Sequence, residues 1–319
     1  MMKRIAFMFP GQGSQVVGMG KELYDKYDQV KQLYEAANEV LNQNIADIMF
    51  NGPKETLTET ENAQPALLLS SIAVFTLLKE QNISPVMTVG HSLGEYSALV
   101  AAEALNVEEA LPLVKTRGRL MEEAFPKGKG TMAAVLGMDE ATIREHLEKV
   151  SEDEVVDIAN LNCPGQIVIS GSRGGIEQAE EILKEAGARR VIQLNVSGPF
   201  HSRLMQPANE KFQESLEKVT INDAKVPVYA NVTANPVIDK EEIKQLLIQQ
   251  LYSPVRFEES IRNMMKKEID AFVELGTGNV LCGLVRKIDR KQKTFAIQDE
   301  KSLAEFLARS EERRVGKEC

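Results

Sequence analysis

The chain has 319 residues, of which 43% are apolar and 27% charged, and it carries a formal net charge of −9 at pH 7. Such numbers describe an ordinary soluble globular protein of one large domain or two smaller ones. They argue against a nucleic-acid binder, which needs a basic surplus to neutralise phosphates. The three cysteines, Cys163, Cys282 and Cys319, are widely spaced and form no C-x-x-C pair. Neither a zinc site nor a disulfide framework is indicated, and a reducing cytoplasm fits best.

Met1-Met2-Lys3-Arg4 leads into a short apolar strand at residues 5–9, not into a signal peptide. The loop Pro10-Gly11-Gln12-Gly13-Ser14-Gln15 follows. Its glycines invite a dinucleotide-loop reading, but Val16 stands where G-x-G-x-x-G needs its third glycine. Two readings remain open: a plain strand-to-helix connection, or a loop that brings a backbone amide, such as that of Gln12, to a reacting centre.

Helical patterns run over residues 21–41 and 66–80. The second holds the most apolar stretch, 66–78, which is too short to span a bilayer and reads as a buried helix. Next comes the strand 86–90 and the sequence Gly90-His91-Ser92-Leu93-Gly94. This matches the G-x-S-x-G nucleophile elbow, a strained strand-to-helix turn that exposes a serine hydroxyl. The amide of Leu93 and the start of the helix that follows are placed to stabilise an oxyanion. The competing reading is a glycine-rich turn with an incidental serine.

A helix is expected over residues 107–124, with Leu113, Val114, Leu120 and Met121 forming its apolar stripe. Arg117 falls on that stripe by its i±3 and i±4 spacing. An inward guanidinium is costly unless an anion meets it. That anion is either an internal Asp or Glu, or a substrate carboxylate held by the bidentate fork.

Pro126-Lys127-Gly128-Lys129-Gly130 reads as a boundary. After it come strand 131–136, helix 139–150, strands 155–160 and 166–170, helix 175–186 and strand 190–195. The order βαββαβ is that of a ferredoxin-like unit, so residues 126–197 are expected to form a small inserted subdomain. The core, residues 1–125 and 198–308, resumes with helix 202–218, strand 226–230, and helices 240–250 and 258–267. Strand 271–275, helix 279–288, strand 294–297 and a last short helix complete it. Apolar strands alternating with helices predict a mostly parallel sheet covered on both faces. Its strand C-termini would gather Gln12, Ser92 and Gly276-Thr277-Gly278. Residues 309–319 lack apolar periodicity and are expected to be a disordered or appended tail.

A serine nucleophile needs a base, usually histidine. The chain has three. His91 is adjacent to Ser92 and leaves the turn in another direction. His146 lies on a helix of the insert. By elimination His201, in Ser197-Gly198-Pro199-Phe200-His201-Ser202, is the candidate. No Asp or Glu announces itself as a third member, and a backbone carbonyl or an amide could orient the imidazole instead.

Together these residues resemble the malonyl-CoA:acyl carrier protein transacylases of fatty-acid synthesis, over nearly the whole chain to about residue 308. The match includes Phe9-Pro10-Gly11-Gln12-Gly13-Ser14-Gln15, Gln64-Pro65-Ala66, the elbow with Glu95, the Arg117 helix and Asn160-Leu161-Asn162-Cys163-Pro164-Gly165-Gln166. It continues through Pro199-Phe200-His201-Ser202, Gln250-Leu251 with Pro254-Val255, and Glu274-Leu275-Gly276-Thr277-Gly278. Thr277 departs from the proline common at that place.

The resemblance implies an α/β-hydrolase-like core with an inserted ferredoxin-like subdomain. It implies Ser92 as acylated nucleophile, His201 as base, the carbonyl of Gln250 orienting His201, and the amides of Gln12 and Leu93 as oxyanion hole. Arg117 becomes the clamp on the malonyl carboxylate. Phe200 resembles the malonyl-selecting form of its motif, and Met121, Asn160, Asn162 and Gln64 are placed around the substrate.

The implied partners are malonyl-CoA and an acyl carrier protein, with no cofactor, metal, nucleic acid or membrane, and with the chain acting as a monomer. An acidic carrier needs a local basic patch. Arg286, Lys287, Arg290, Lys291 and Lys293 form one cluster, and Lys127, Lys129, Arg189 and Arg190 another. The alternative function is a thioesterase or other serine hydrolase on the same elbow. Arg117 and the missing triad carboxylate speak against it. A non-catalytic carrier-binding subunit is disfavoured by the intact Ser92 and His201.

Overall fold

A computed structural model describes residues 4–315, with side-chain surroundings through Ser310. The chain runs β1 (Ile5–Phe9), α1 (Lys21–Lys26), α2 (Asp28–Leu41), α3 (Ile45–Asn51), α4 (Lys54–Thr58), α5 (Thr60–Glu80), β2 (Met87–Gly90), α6 (Gly94–Ala101) and α7 (Val107–Glu123). It continues with β3 (Gly130–Leu136), α8 (Glu140–Leu147), β4 (Val156–Cys163), β5 (Gln166–Ser172), α9 (Arg173–Glu185) and β6 (Arg190–Gln193). A 3₁₀ turn (Arg203–Ala208) then leads to α10 (Asn209–Glu217), β7 (Val228–Tyr229), β8 (Pro236–Val237), α11 (Lys240–Gln250), α12 (Phe257–Met265), β9 (Ala271–Leu275), α13 (Val280–Ile288), β10 (Thr294–Ile297) and α14 (Glu300–Val315).

The strands form two sheets. The larger has the order β10-β9-β1-β2-β7-β8, parallel throughout except for the short antiparallel edge β8. All residues of β1, β2 and β9 are buried, as parallel strands covered on both faces by helices must be. The smaller sheet has the order β4-β5-β3-β6 and is wholly antiparallel. Its strands and two helices give the βαββαβ order and the strand arrangement of a ferredoxin-like unit. It has its own core, built on Val135, Ile143, Ile169, Ile176 and Leu183. A parallel bridge between Asn160 and Val255 ties its edge strand β4 to the chain just before α12.

Several boundaries differ from the sequence expectation. α5 begins at Thr60, six residues before 66, and carries Pro65 in its interior. Pro65 gives up the bond its own N–H would have made and crowds the Glu61 carbonyl, and burial of nearly the whole helix outweighs both. The single helix expected over 202–218 is a 3₁₀ turn containing Pro207 followed by α10. The residues taken as a tail from 309 are a correction: α14 continues to Val315, since Glu and Arg are good helix formers even without an apolar stripe. Residues 316–319 lie outside the described part. The short helices α3 and α4 had no periodic signal of their own.

Candidate active site

The elbow is built by close approach. A Cβ on Gly90 would lie 1.8 Å from the carbonyl carbon of Gly94, and one on Gly94 would lie 2.0 Å from the carbonyl oxygen of Phe9 at the end of β1. Neither position admits a side chain. Between them Ser92 is held in the left-handed region at φ 51°, a conformation a non-glycine residue keeps only when its surroundings impose it. Here Asn231 imposes it. Its Oδ1 accepts from the Ser92 N–H at 2.8 Å and its Nδ2 donates to the Gly90 carbonyl at 2.7 Å.

His201 comes from the segment before the 3₁₀ turn and is also left-handed, at φ 58°. Its Nε2 lies 2.7 Å from Ser92 Oγ, and its Nδ1 lies 2.8 Å from the carbonyl oxygen of Gln250 at the end of α11. A carbonyl only accepts, so Nδ1 carries the hydrogen and Nε2 is left free to accept the serine proton. Burial and the nearby Arg117 charge push the His201 pKa down to about 3, so the ring is neutral at physiological pH. Neither of the other histidines bonds the Ser92 hydroxyl, although His91 also lines the cleft. His91 bonds Asn162 Oδ1 through Nε2 at 2.8 Å, and His146 Nδ1 faces the Thr142 carbonyl on α8 at 2.9 Å.

Arg117 is 1% exposed. Its Nη1 donates to Gln64 Oε1 at 2.8 Å, and its Nη2 donates to Gln250 Oε1 at 2.9 Å and Ser92 Oγ at 3.2 Å. Its Cζ sits 5.3 Å from the centre of the Tyr96 ring, and its Nε has no hydrogen-bond partner among the described residues. These partners are neutral oxygens and an aromatic face, and among the described residues no carboxylate bonds Arg117 directly, Glu95 acting on it only across the Gln250 amide. The internal ion pair that the sequence left open is therefore not formed with Arg117 directly. Glu95, one helical turn beyond Ser92, is reached only through Gln250, whose Nε2 donates to Glu95 Oε2 at 2.7 Å. The Asn231 N–H donates to the same oxygen at 3.0 Å. Burial is the dominant influence on this carboxyl and raises its pKa to about 7.

A cleft of about 730 Å³ opens over these groups, lined by Gln12, Ser92, Leu93, Arg117, Met121, Asn160, Phe200 and His201, with Met132, Leu194 and Val196 from the smaller-sheet side. The backbone N–H groups of Gln12 and Leu93 donate to no protein acceptor among the described residues. Asn160 Oδ1 is buried without a partner. Gln64 and Gln250 stand behind Arg117 rather than in the cleft wall. Gln64 also approaches Met121, its Nε2 3.6 Å from the sulfur. Asn162 is turned away to His91, so of the two asparagines only Asn160 lines the cleft.

Sequence reasoning assigned no role to Asn231, Thr60 or Glu95. Glu95 carried a signal: an acid inside Leu93-Gly94-Glu95-Tyr96-Ser97-Ala98, an otherwise uncharged helix start, is rarely buried without a partner. Asn231 and Thr60 carried none, because their partners lie far away in the chain.

A serine bonded to a neutral histidine, beside free amides, can carry out acyl transfer, and the adjacent arginine can pair with a carboxylate. A family profile described as an acyl transferase domain matches residues 6–304. The malonyl CoA-acyl carrier protein transacylase of Bacillus subtilis (strain 168) is 53% identical over 303 residues, covering 95% of this chain and 96% of that protein. A crystal structure of the malonyl CoA-acyl carrier protein transacylase from Clostridium perfringens superposes with a TM-score of 0.95 at 39% identity, covering 99% of this chain and 100% of that one. A malonyl-transacylase solved in complex with a type II polyketide-synthase acyl carrier protein superposes with a TM-score of 0.92 at 37% identity, over 95% and 98% of the two chains. The chain belongs to the acyl transferase family and, within it, to the malonyl-CoA:acyl carrier protein transacylases.

Proposed function

We propose that this enzyme transfers the malonyl group of malonyl-CoA to the phosphopantetheine thiol of an acyl carrier protein, through a malonyl ester on Ser92. The observation that carries the reading is the placement of Ser92 Oγ, 2.7 Å from the base His201 and 3.2 Å from Arg117. An acyl chain ending in a carboxylate reaches from the serine to the guanidinium.

In the first half-reaction His201 Nε2 takes the Ser92 proton as Oγ attacks the thioester carbonyl. The developing oxyanion meets the N–H groups of Gln12 and Leu93, each such donor lowering the barrier by roughly 3 kcal/mol in comparable sites. The C–S bond then breaks, and the imidazolium returns its proton to the departing CoA thiolate. The Gln250 carbonyl holds the ring through both transfers. In the second half-reaction the carrier's thiol gives its proton to His201, attacks the ester and releases Ser92 by the reverse path. An acetyl group leaves the guanidinium unpaired, which is the physical basis of selectivity.

Met121 and Phe200 bound the acyl pocket, Asn160 offers its free oxygen to the substrate, and Gln64 aims Arg117. Residues 1–125 with 198–308 act as the catalytic unit and 126–197 as a subdomain forming one wall of the cleft. We assign carrier docking to one of the two exposed basic clusters, Arg286, Lys287, Arg290, Lys291 and Lys293, or Lys127, Lys129, Arg189 and Arg190, since charge steers an acidic partner. The enzyme works as a monomer in the cytoplasm. Among the described residues no helix is long and apolar enough to cross a membrane.

The test is intact mass after brief mixing with malonyl-CoA, with acetyl-CoA and Ser92→Ala as controls. A single malonyl adduct on the wild type, discharged by acyl carrier protein, is expected. Free malonate without an adduct would overturn the assignment.

A further inference from the structure

Thr60, the first residue of α5, is fully buried, and its one hydroxyl serves three neighbours. It donates to Glu122 Oε1 at 3.1 Å and accepts from Gln12 Nε2 at 3.2 Å. Ser197 Oγ lies 3.3 Å away. Because the Thr60 hydrogen is committed to Glu122, Ser197 is the donor in that contact, and the hydroxyl is saturated with one bond given and two accepted. The three neighbours come from the three segments that carry the reaction. Gln12 belongs to the loop after β1, Glu122 to α7 with Arg117, and Ser197 to the strand of chain that leads to His201. Thr60 itself is fixed by packing: a Cβ on Gly118 of α7 would lie 2.5 Å from its carbonyl oxygen.

Gln12 has no other side-chain hydrogen bond among the described residues. It stands between Gly11 and Gly13, the latter at φ 105°. A peptide between two glycines has little stiffness of its own. Gly11 is wedged against His91, where a Cβ would lie 2.4 Å from the carbonyl oxygen, and the Gly13 N–H donates to Gln15 Oε1 at 2.8 Å; between these two fixed points the tether to Thr60 sets how Gln12, and with it the Gln12 N–H, is turned. We propose that Thr60 is a positioning residue for acyl transfer, its hydroxyl holding the Gln12 side chain so that the Gln12 N–H faces the oxyanion. The inference rests on the transfer reading above and adds a residue that touches neither substrate nor nucleophile.

The experiment compares wild type with Thr60→Val, Thr60→Ser, Gln12→Met and the Thr60→Val/Gln12→Met double variant. It measures the rate of malonyl adduct formation on Ser92, KM for malonyl-CoA and the malonyl-to-acetyl preference. Thr60→Val is expected to slow acylation about 10- to 100-fold, the order that a displacement of about 1 Å produces. KM and the malonyl-to-acetyl preference stay within about two-fold of wild type, since only the transition state gains the oxyanion contact. Thr60→Ser keeps the wild-type rate. The double variant loses no more than Gln12→Met alone, because both changes cut one tether.

Wild-type rates in Thr60→Val, or losses that multiply in the double variant, overturn the proposal. So does a collapse of malonyl preference, which would place the effect at Arg117. Should Thr60→Val fail to fold, Gln12→Met decides by itself, since a wild-type rate there removes the tether's importance. A wild type that forms no adduct at all is a separate outcome, and removes the transfer reading together with this one.

Discussion

Arg117 and Glu95 are both buried, and the side chain of Gln250 stands between them. Its Oε1 accepts from Arg117 at 2.9 Å while its Nε2 donates to Glu95 at 2.7 Å. The amide spaces a cation and a carboxyl that would otherwise pair. A direct pair would satisfy Arg117 in the resting enzyme and leave nothing for a substrate carboxylate to gain. The same residue uses its backbone carbonyl to hold His201, so Gln250 sets both the acid–base group and the receptor.

Arg117→Met is therefore expected to remove selectivity before it removes chemistry. Truncating one partner of a buried charge contact costs on the order of 2–5 kcal/mol, so kcat/KM for malonyl-CoA should drop at least 30-fold, by about 2 kcal/mol. Acetyl-CoA should react at no less than its wild-type rate. Steady-state kinetics with the two substrates decide it; an equal loss with both would mean that Arg117 serves Ser92 alone.

Glu95 makes folding pH-dependent in a definite direction. Burial raises its pKa from the ordinary glutamate value of 4.5 to about 7 in the fold. The folded protein thus holds this proton more tightly than the unfolded chain, and the stability it gives is complete below about pH 4.5 and lost as pH climbs through 7. Glu95→Gln keeps an accepting oxygen and has no proton to lose. Relative to wild type its unfolding free energy should grow with pH between 4.5 and 7, by on the order of 3 kcal/mol. Urea denaturation of both proteins at pH 5, 6, 7 and 8 gives the difference, and a pH-independent offset would refute it.

His201 titrates in the opposite sense. Its pKa is held near 3 by burial and by Arg117, so the basic form survives as the solution is acidified. The profile of kcat/KM, which reports free-enzyme groups, should show no inflection at the ordinary histidine value of 6.5. An inflection near pH 7 would belong to Glu95 and should vanish in Glu95→Gln. An inflection at 6.5 in both proteins would show the imidazole to be ordinary.

Gly94→Ala tests the packing of the elbow. The added methyl would meet the Phe9 carbonyl at 2.0 Å, and that oxygen belongs to a central strand that cannot move aside. The expected loss is about 3 kcal/mol or more, visible as poor solubility or a lowered denaturation midpoint. A variant of unchanged midpoint would mean that β1 and α6 are less tightly apposed.

The parts of this site legible in the sequence are those whose chemistry is local. Gly90, Ser92 and Gly94 announce a turn through spacing, and Arg117 announces itself by standing on an apolar stripe. His201 followed by elimination among three histidines, and the free amide of Gln12 was one of two open readings of its loop. What stayed hidden is held by distant partners. Thr60 lies 48 residues from Gln12, and Asn231 lies 139 from the backbone amide it fixes. An ordinary threonine and an ordinary asparagine gain their meaning only once the chain has folded. The start of α5 was misplaced for a related reason: the helix runs through Pro65, and the burial that sustains it there appears only in the fold.

The network around Ser92 is completed by residues from β2, α6, α11 and the turn after β7, spread over more than half of the sequence. Two of the bonds that hold the left-handed Ser92 come from late in the chain: Asn231 Oδ1 accepts from its N–H at 2.8 Å, and Gln250 Nε2 donates to its carbonyl at 3.0 Å. A polypeptide in which these two partners have not docked lacks the bonds that hold the elbow serine. On refolding, the recovery of malonyl adduct on Ser92 is therefore expected to follow the docking of Asn231 and Gln250.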